Sequence, residues 1–169
     1  MPKIRLNSLI NVDHIRSDSL NFFKFSANDC ECQLLAARFH FIDVKAFSAE
    51  FSVNKSARNC WDVNGQLRGH VVQACGVTGV PLRETVDFKI KERYVRVVSS
   101  LNEVEVLIDE AEPLENGAIN IGEMLAQSLA VAVTPWPRAV EAPETFTSGE
   151  KLPDHPFAGL AAFKRQTLK

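Results

Sequence analysis

Between Asn120 and Pro135 the chain runs through residues 121–134 with almost no charged side chain, and both ends of this stretch are marked. Asn120 with Glu123 three residues on reads as an N-cap and capping-box pair. Pro135 has no amide proton to continue a helix, so it sets the stop. Ile121, Met124, Leu125, Leu129, Ala132 and Val133 make one apolar stripe, while Ala126, Ala130 and Val131 leave little polar surface opposite. A helix of this composition needs cover on most sides, either inside its own fold or against a partner. It carries no side chain suited to catalysis.

The chain has 169 residues, enough for a single domain over 1–169 that buries about 70% of the surface its unfolded form would expose. Its apolar fraction of 46% and charged fraction of 24% are those of an ordinary globular protein, which excludes general disorder. A net charge of −2 argues against coating nucleic acid by bulk electrostatics, so any RNA contact has to come from a local patch. Residues 1–12 hold no continuous apolar run of the signal-peptide kind. The apolar helix, interrupted by Gln127 and Ser128, falls short of the roughly 20 residues a membrane span needs. A cytoplasmic protein with no membrane contact is expected. Cys30, Cys32, Cys60 and Cys75 are then expected as reduced thiols. Cys30 and Cys32 lie about 200° apart around a helix and are poorly placed to clasp one ion.

Two apolar runs near 4–10 and 20–25 read as strands, or as a strand and an ordered arm. Residues 28–39 favour a helix, with Ser26 or Asn28 available as its cap. Phe47, Ala49, Phe51 and Val53 then alternate with polar residues, the period of two that buries one face of a strand. Leu67, Val71 and Cys75 share a face with Arg68 and His70 opposite, and Val86, Phe88 and Ile90 repeat the pattern. The expected fold is α+β: a mainly antiparallel sheet curled into a partly open barrel or sandwich, with helices near 28–39 and 121–134 and a short C-terminal helix. Asn64-Gly65 admits a hairpin turn or a bulge inside a longer strand, and the bulge is preferred because a second turn would leave residues 61–63 as a very short strand. Residues 103–116 are acidic, beginning as a strand through Val104, Val106 and Ile108 and passing into a loop at Pro113 and Asn116-Gly117. Residues 139–153, rich in Glu, Ala, Pro, Ser and Thr, read as a poorly ordered linker before a C-terminal docking segment.

Little in this pattern meets the demands of catalysis. The acidic segment lacks the spacing of a calcium loop, and no metal or cofactor is assigned. Cys75 has His70 five residues before it on the opposite face of an extended run, too far to act as its base, so a small buried apolar role is favoured for this thiol. Gly76-Val77-Thr78-Gly79 is a tight turn before Pro81 rather than a phosphate loop. Lys89, Lys91 and Arg93 alternate on one strand face, with Arg68 and His70 outward on a neighbouring run. Together with Arg138 these are the candidates for RNA contact, and Tyr94 is a candidate stacking surface. An ordinary solvated sheet face explains the same pattern.

Cys75-Gly76-Val77-Thr78 leading to Pro81, then the acidic loop, then Glu123 in the opening of the apolar helix form the first part of an ordered series. Pro135-Trp136-Pro137-Arg138 and finally Pro156-Phe157 with Leu160 and Lys164 complete it. The series resembles the YceD family of large ribosomal RNA subunit accumulation proteins over nearly the whole chain. The resemblance implies a non-enzymatic factor needed for normal levels of large-subunit (23S) ribosomal RNA, with precursor RNA or a ribosome-assembly protein as partner. Many relatives carry Cys-x-x-Cys at the first motif. Here Thr78 stands in the second position, so no dithiol role is carried over. A protein-binding adaptor with no RNA contact is the alternative, and a thiol enzyme using Cys75 a more distant one.

Overall fold

The computed structural model describes residues 3–16, 19–96 and 111–143. Two short strands, β1 (Lys3–Ile4) and β2 (Leu9–Asn11), open the chain, followed by a single 3-10 turn and β3 (Asn21–Ser26). Helix α1 (Asp29–Phe39) leads into three long strands, β4 (Asp43–Ala57), β5 (Cys60–Ala74) and β6 (Pro81–Val95). Then come β7 (Glu112–Pro113), β8 (Ala118–Asn120) and α2 (Ile121–Ala132). The main sheet has the order β1-β3-β4-β5-β6-β7, antiparallel from β3 to β6 and parallel at the two outer pairings. β2 and β8 pair separately.

The α+β class and the antiparallel sheet agree with expectation, but the sheet is open, with β1 and β7 at its edges, and does not curl into a barrel or sandwich. Helices take the place of a second sheet. Phe25, Phe47, Phe51, Val63, Leu67 and Ile90 point to one face, where α1 packs on β4 and α2 on β5 and β6. Each large side chain buried there contributes roughly 1.5–3 kcal/mol. The opposite face is mostly polar, with Phe22 its exposed aromatic.

Local chemistry sets the element ends. Asn28 caps α1 in a full capping box, its side chain accepting from the Glu31 amide while Glu31 accepts from the Asn28 amide. The other Glu31 oxygen accepts from the Leu6 amide at 2.9 Å, tying the N-terminal turn to the helix. Asn120 caps α2 through the Glu123 amide, but Glu123 does not complete the box. Its carboxylate goes to Arg38 and Gln127 instead. α2 buries Ile121, Met124, Leu125 and Leu129, yet Val131 is 76% exposed, so the helix is covered less completely than its composition suggests.

Asn64 and Gly65 form neither a hairpin nor a bulge. Both sit in regular register, opposite Ser52 and Phe51. The β4–β5 turn lies at Arg58 and Asn59, the latter at φ 62°, and the irregularities in pairing fall at Val44/Ala46 and Lys55/Ala57. Glycine is required at 65 for close approach, since a Cβ there would lie 2.4 Å from that of Phe51. The expected strand near 103–109 and the short C-terminal helix lie outside the described residues, as does the expected linker beyond Pro143. No described helix is long and apolar enough to cross a membrane.

Candidate functional site

The loop between β5 and β6 begins at Cys75 and closes on itself, with the Cys75 amide donating to the Val80 carbonyl at 2.8 Å and the Gly79 amide to the Cys75 carbonyl at 2.9 Å. Gly79, at φ 73°, supplies the left-handed residue this tight turn needs. The Cys75 sulfur, in a residue only 3% exposed, accepts from the amides of Val77 and Thr78 within the loop and from Ala139 at 3.3 Å. A second tie joins the same two segments, the Gly76 amide donating to the Pro137 carbonyl at 2.8 Å. The Thr78 hydroxyl first, then the amides of Ala139, Thr78 and Val77, hold the thiol well below its ordinary value, at about 6, against an opposing effect of burial.

The segment from the end of α2 is anchored on its other side by Glu84. Its carboxylate accepts from the Thr134 amide and hydroxyl, and from the Gln73 side chain at 2.9 Å. Between the two anchorages Trp136 adopts φ 51° and stands 86% exposed, flanked by Pro135 and Pro137. A bulky residue in the left-handed region stores backbone strain, which persists only where surrounding contacts hold it. Val77 and Val80, each 44% exposed, belong to the facing loop. The Arg138 guanidinium donates to the Pro143 carbonyl.

Cys75, Thr78, Pro81, Pro135, Trp136, Pro137 and Arg138 therefore meet in one corner. Glu123 does not join them. It lies in the first turn of α2, about 14 Å along the axis from Ala132 at the helix end, paired with Arg38 at 2.6 Å. Pro156, Phe157, Leu160 and Lys164 lie outside the described residues. Pro135 was the expected helix stop, but α2 already ends at Ala132, because the Thr134 amide is taken by Glu84 instead of a helical carbonyl.

The strand-borne candidates occupy the outer sheet face, away from both helices. One cross-strand row holds Phe22, Ser52, Asn64 and Lys91; the next holds Lys24, Glu50, Gln66 and Lys89. Flanking rows pair Asp62 with Arg93, Arg68 with Asp87 and His70 with Thr85. This face is mixed in charge and not uniformly basic. Arg93 is 2.8 Å from Asp62, Lys24 2.6 Å from Glu50 and Arg68 3.7 Å from Asp87. The Lys24 hydrogen bond holds the Glu50 carboxyl below its ordinary value. His70 meets Thr85 at 3.2 Å and makes no contact with Cys75. Tyr94 lies opposite Trp61 on the other, helix-covered face, where burial pushes its hydroxyl far up, so it offers the outer face no stacking surface. Arg138 belongs to the corner and not to this face.

Glu84, Ala139 and Phe22 were not singled out from sequence, and Asn64 only as part of a turn or bulge. Phe22 alone had a visible signal, as the polar-side aromatic of an apolar run; the rest depend on strand register and loop docking. No protein-family model, no curated protein and no solved structure matches this chain.

Proposed function

We propose that this chain is a non-enzymatic factor that supports the synthesis, processing or stability of large-subunit (23S) ribosomal RNA, acting by binding precursor RNA or an assembly protein. The reading rests on the ordered motifs that resemble the YceD family. The observation that carries it is that two of these motifs, joined between Cys75 and Ala139 across 64 residues, form one latched corner holding Trp136 in solvent. A preformed exposed aromatic beside an arginine has the composition of an interface anchor. The Cys75 residue is only 3% exposed, and this burial favours a structural role over catalysis. In a strain lacking the chromosomal copy, Trp136→Ser should fail to restore large-subunit RNA levels that the unaltered chain restores. Full restoration by the variant would overturn the assignment of the corner.

A protein adaptor with no RNA contact is the second reading, favoured by the exposed Val77, Val80 and Trp136. Direct binding to single strands predicts a log-log salt slope of about −0.7 for each phosphate contacted, whereas an apolar protein interface predicts a slope near zero.

A further inference from the structure

We infer that the outer sheet face is a platform for single-stranded RNA, with a base stacked on Phe22 and backbone phosphates over Lys89 and Lys91, an assignment that deepens and rests on the ribosomal RNA reading above. The face divides into neutralised and open groups. Lys24, Arg68 and Arg93 each face a carboxylate within 4 Å, but Lys89 and Lys91 have no ion-pair partner among the described residues. These two lysines stand about 7 Å apart on the same side of β6, forming a short cationic edge on a chain whose net charge is −2.

Phe22 is 45% exposed and shares a cross-strand row with Lys91, three strands and about 14 Å away. The row thus has an aromatic ring at one end and an ammonium at the other. Between them Ser52 is buried and engaged with the Asn64 carbonyl, leaving the exposed Asn64 side chain as the amide that can read a base edge. Glu50 on β4 and Asp62 on β5 disfavour phosphates over those strands, and Asp87 bounds the cationic stretch within β6 itself, so the phosphates are confined to Lys89 and Lys91. A duplex does not fit this division, because its base faces are stacked inside and unavailable to Phe22.

The test uses the full chain with a fluorescent single-stranded RNA of about 12 nucleotides, within the range of site sizes for such surfaces, and the same sequence as a duplex. Single strands should bind more tightly than the duplex. Changing Lys89 and Lys91 together to Gln should weaken binding and make the salt slope shallower by about 1.4. Phe22→Ser should weaken binding about tenfold with the slope unchanged. Because all three side chains are exposed, thermal melts of the variants should match the parent and show that folding is intact. Equal or tighter duplex binding, no loss in either variant, or the same slope change in both would overturn the platform. If the single strand binds as described but loss of the chain leaves large-subunit RNA unchanged in cells, the broader reading fails while the platform stands. If the RNA does not bind at low salt, the platform fails and the adaptor reading is left.

Discussion

The Glu84 carboxylate receives both the amide and the hydroxyl of Thr134, at 3.0 and 2.8 Å to the same oxygen, across 50 residues of chain. This contact turns the end of α2 onto β6 and leads the chain into the Trp136 corner. Gln73 reinforces it by donating to Glu84 and to the Thr134 carbonyl. Replacing Glu84 by Ala should cost about 1 kcal/mol in urea unfolding, since the bonds are charge-assisted but partly exposed. It should also increase the motion of Trp136, read as a fall in fluorescence anisotropy. Unchanged anisotropy would show that the Cys75 side alone holds the corner.

Gly122 lies inside α2, where alanine would ordinarily stabilise a helix by up to about 1 kcal/mol. Here the sign should reverse. A Cβ at this position would lie 1.4 Å from the Leu6 carbonyl oxygen, part of the backbone turn packed on the helix start. Gly122→Ala should lower stability by about 2 kcal/mol or more, as a forced backbone displacement does. A rise in melting temperature would mean that residues 5–8 do not dock on α2.

Cys75 makes the stability of the corner depend on pH. Its thiol titrates at about 6 in the folded chain against an ordinary value of 9.0, so folding favours the thiolate. That contribution is complete above about pH 9 and is lost as the pH falls through about 6. The difference in melting temperature between the parent and Cys75→Ala should therefore widen steadily from pH 6 to pH 9. A difference that stays constant over this range would show that the sulfur binds its amides as a neutral thiol.

Arg38 and Glu123 join the two helices through paired bonds of 2.6 and 2.7 Å. The Arg38 hydrogen bond holds the Glu123 carboxyl below its ordinary value of 4.5. The stabilisation is thus present at neutral pH and disappears as acid protonates Glu123. Arg38→Gln should lower stability modestly near pH 7, in line with a well-formed but partly exposed pair. Its unfolding curve should converge with that of the parent as the pH falls below the depressed Glu123 value.

The elements most legible in sequence were those whose cause is local. Alternation of Phe47, Ala49, Phe51 and Val53 marks a strand because the pleat itself imposes the period, and Asn120 marks a helix start because its side chain meets an amide three residues away. Features set by register were not legible. Nothing near Arg93 or Arg68 along the chain indicates that Asp62 and Asp87 stand across from them, and this pairing makes the row of basic residues part of a mixed face. Gly65 was misread for a related reason: its absent side chain answers to Phe51 on the neighbouring strand, whereas the Asn-Gly dipeptide suggests a purely local bend. One-sided burial was visible, but the alternation is the same whether helices or a second sheet provide the cover.

The pairing of Leu9 with Asn120 has a kinetic consequence. Strands β3 to β6 are joined in chain order, with only α1 intervening between the first two, so their contacts close small loops and can form early. The β2–β8 clasp must instead wait for most of the chain to be in place. It is then the natural first site of opening in the native state, and amide exchange at Ile10 and Ile119 should be faster than at Val63 or Leu67 despite comparable burial. The start of α2 would loosen with it, while the central sheet and its outer face remain formed.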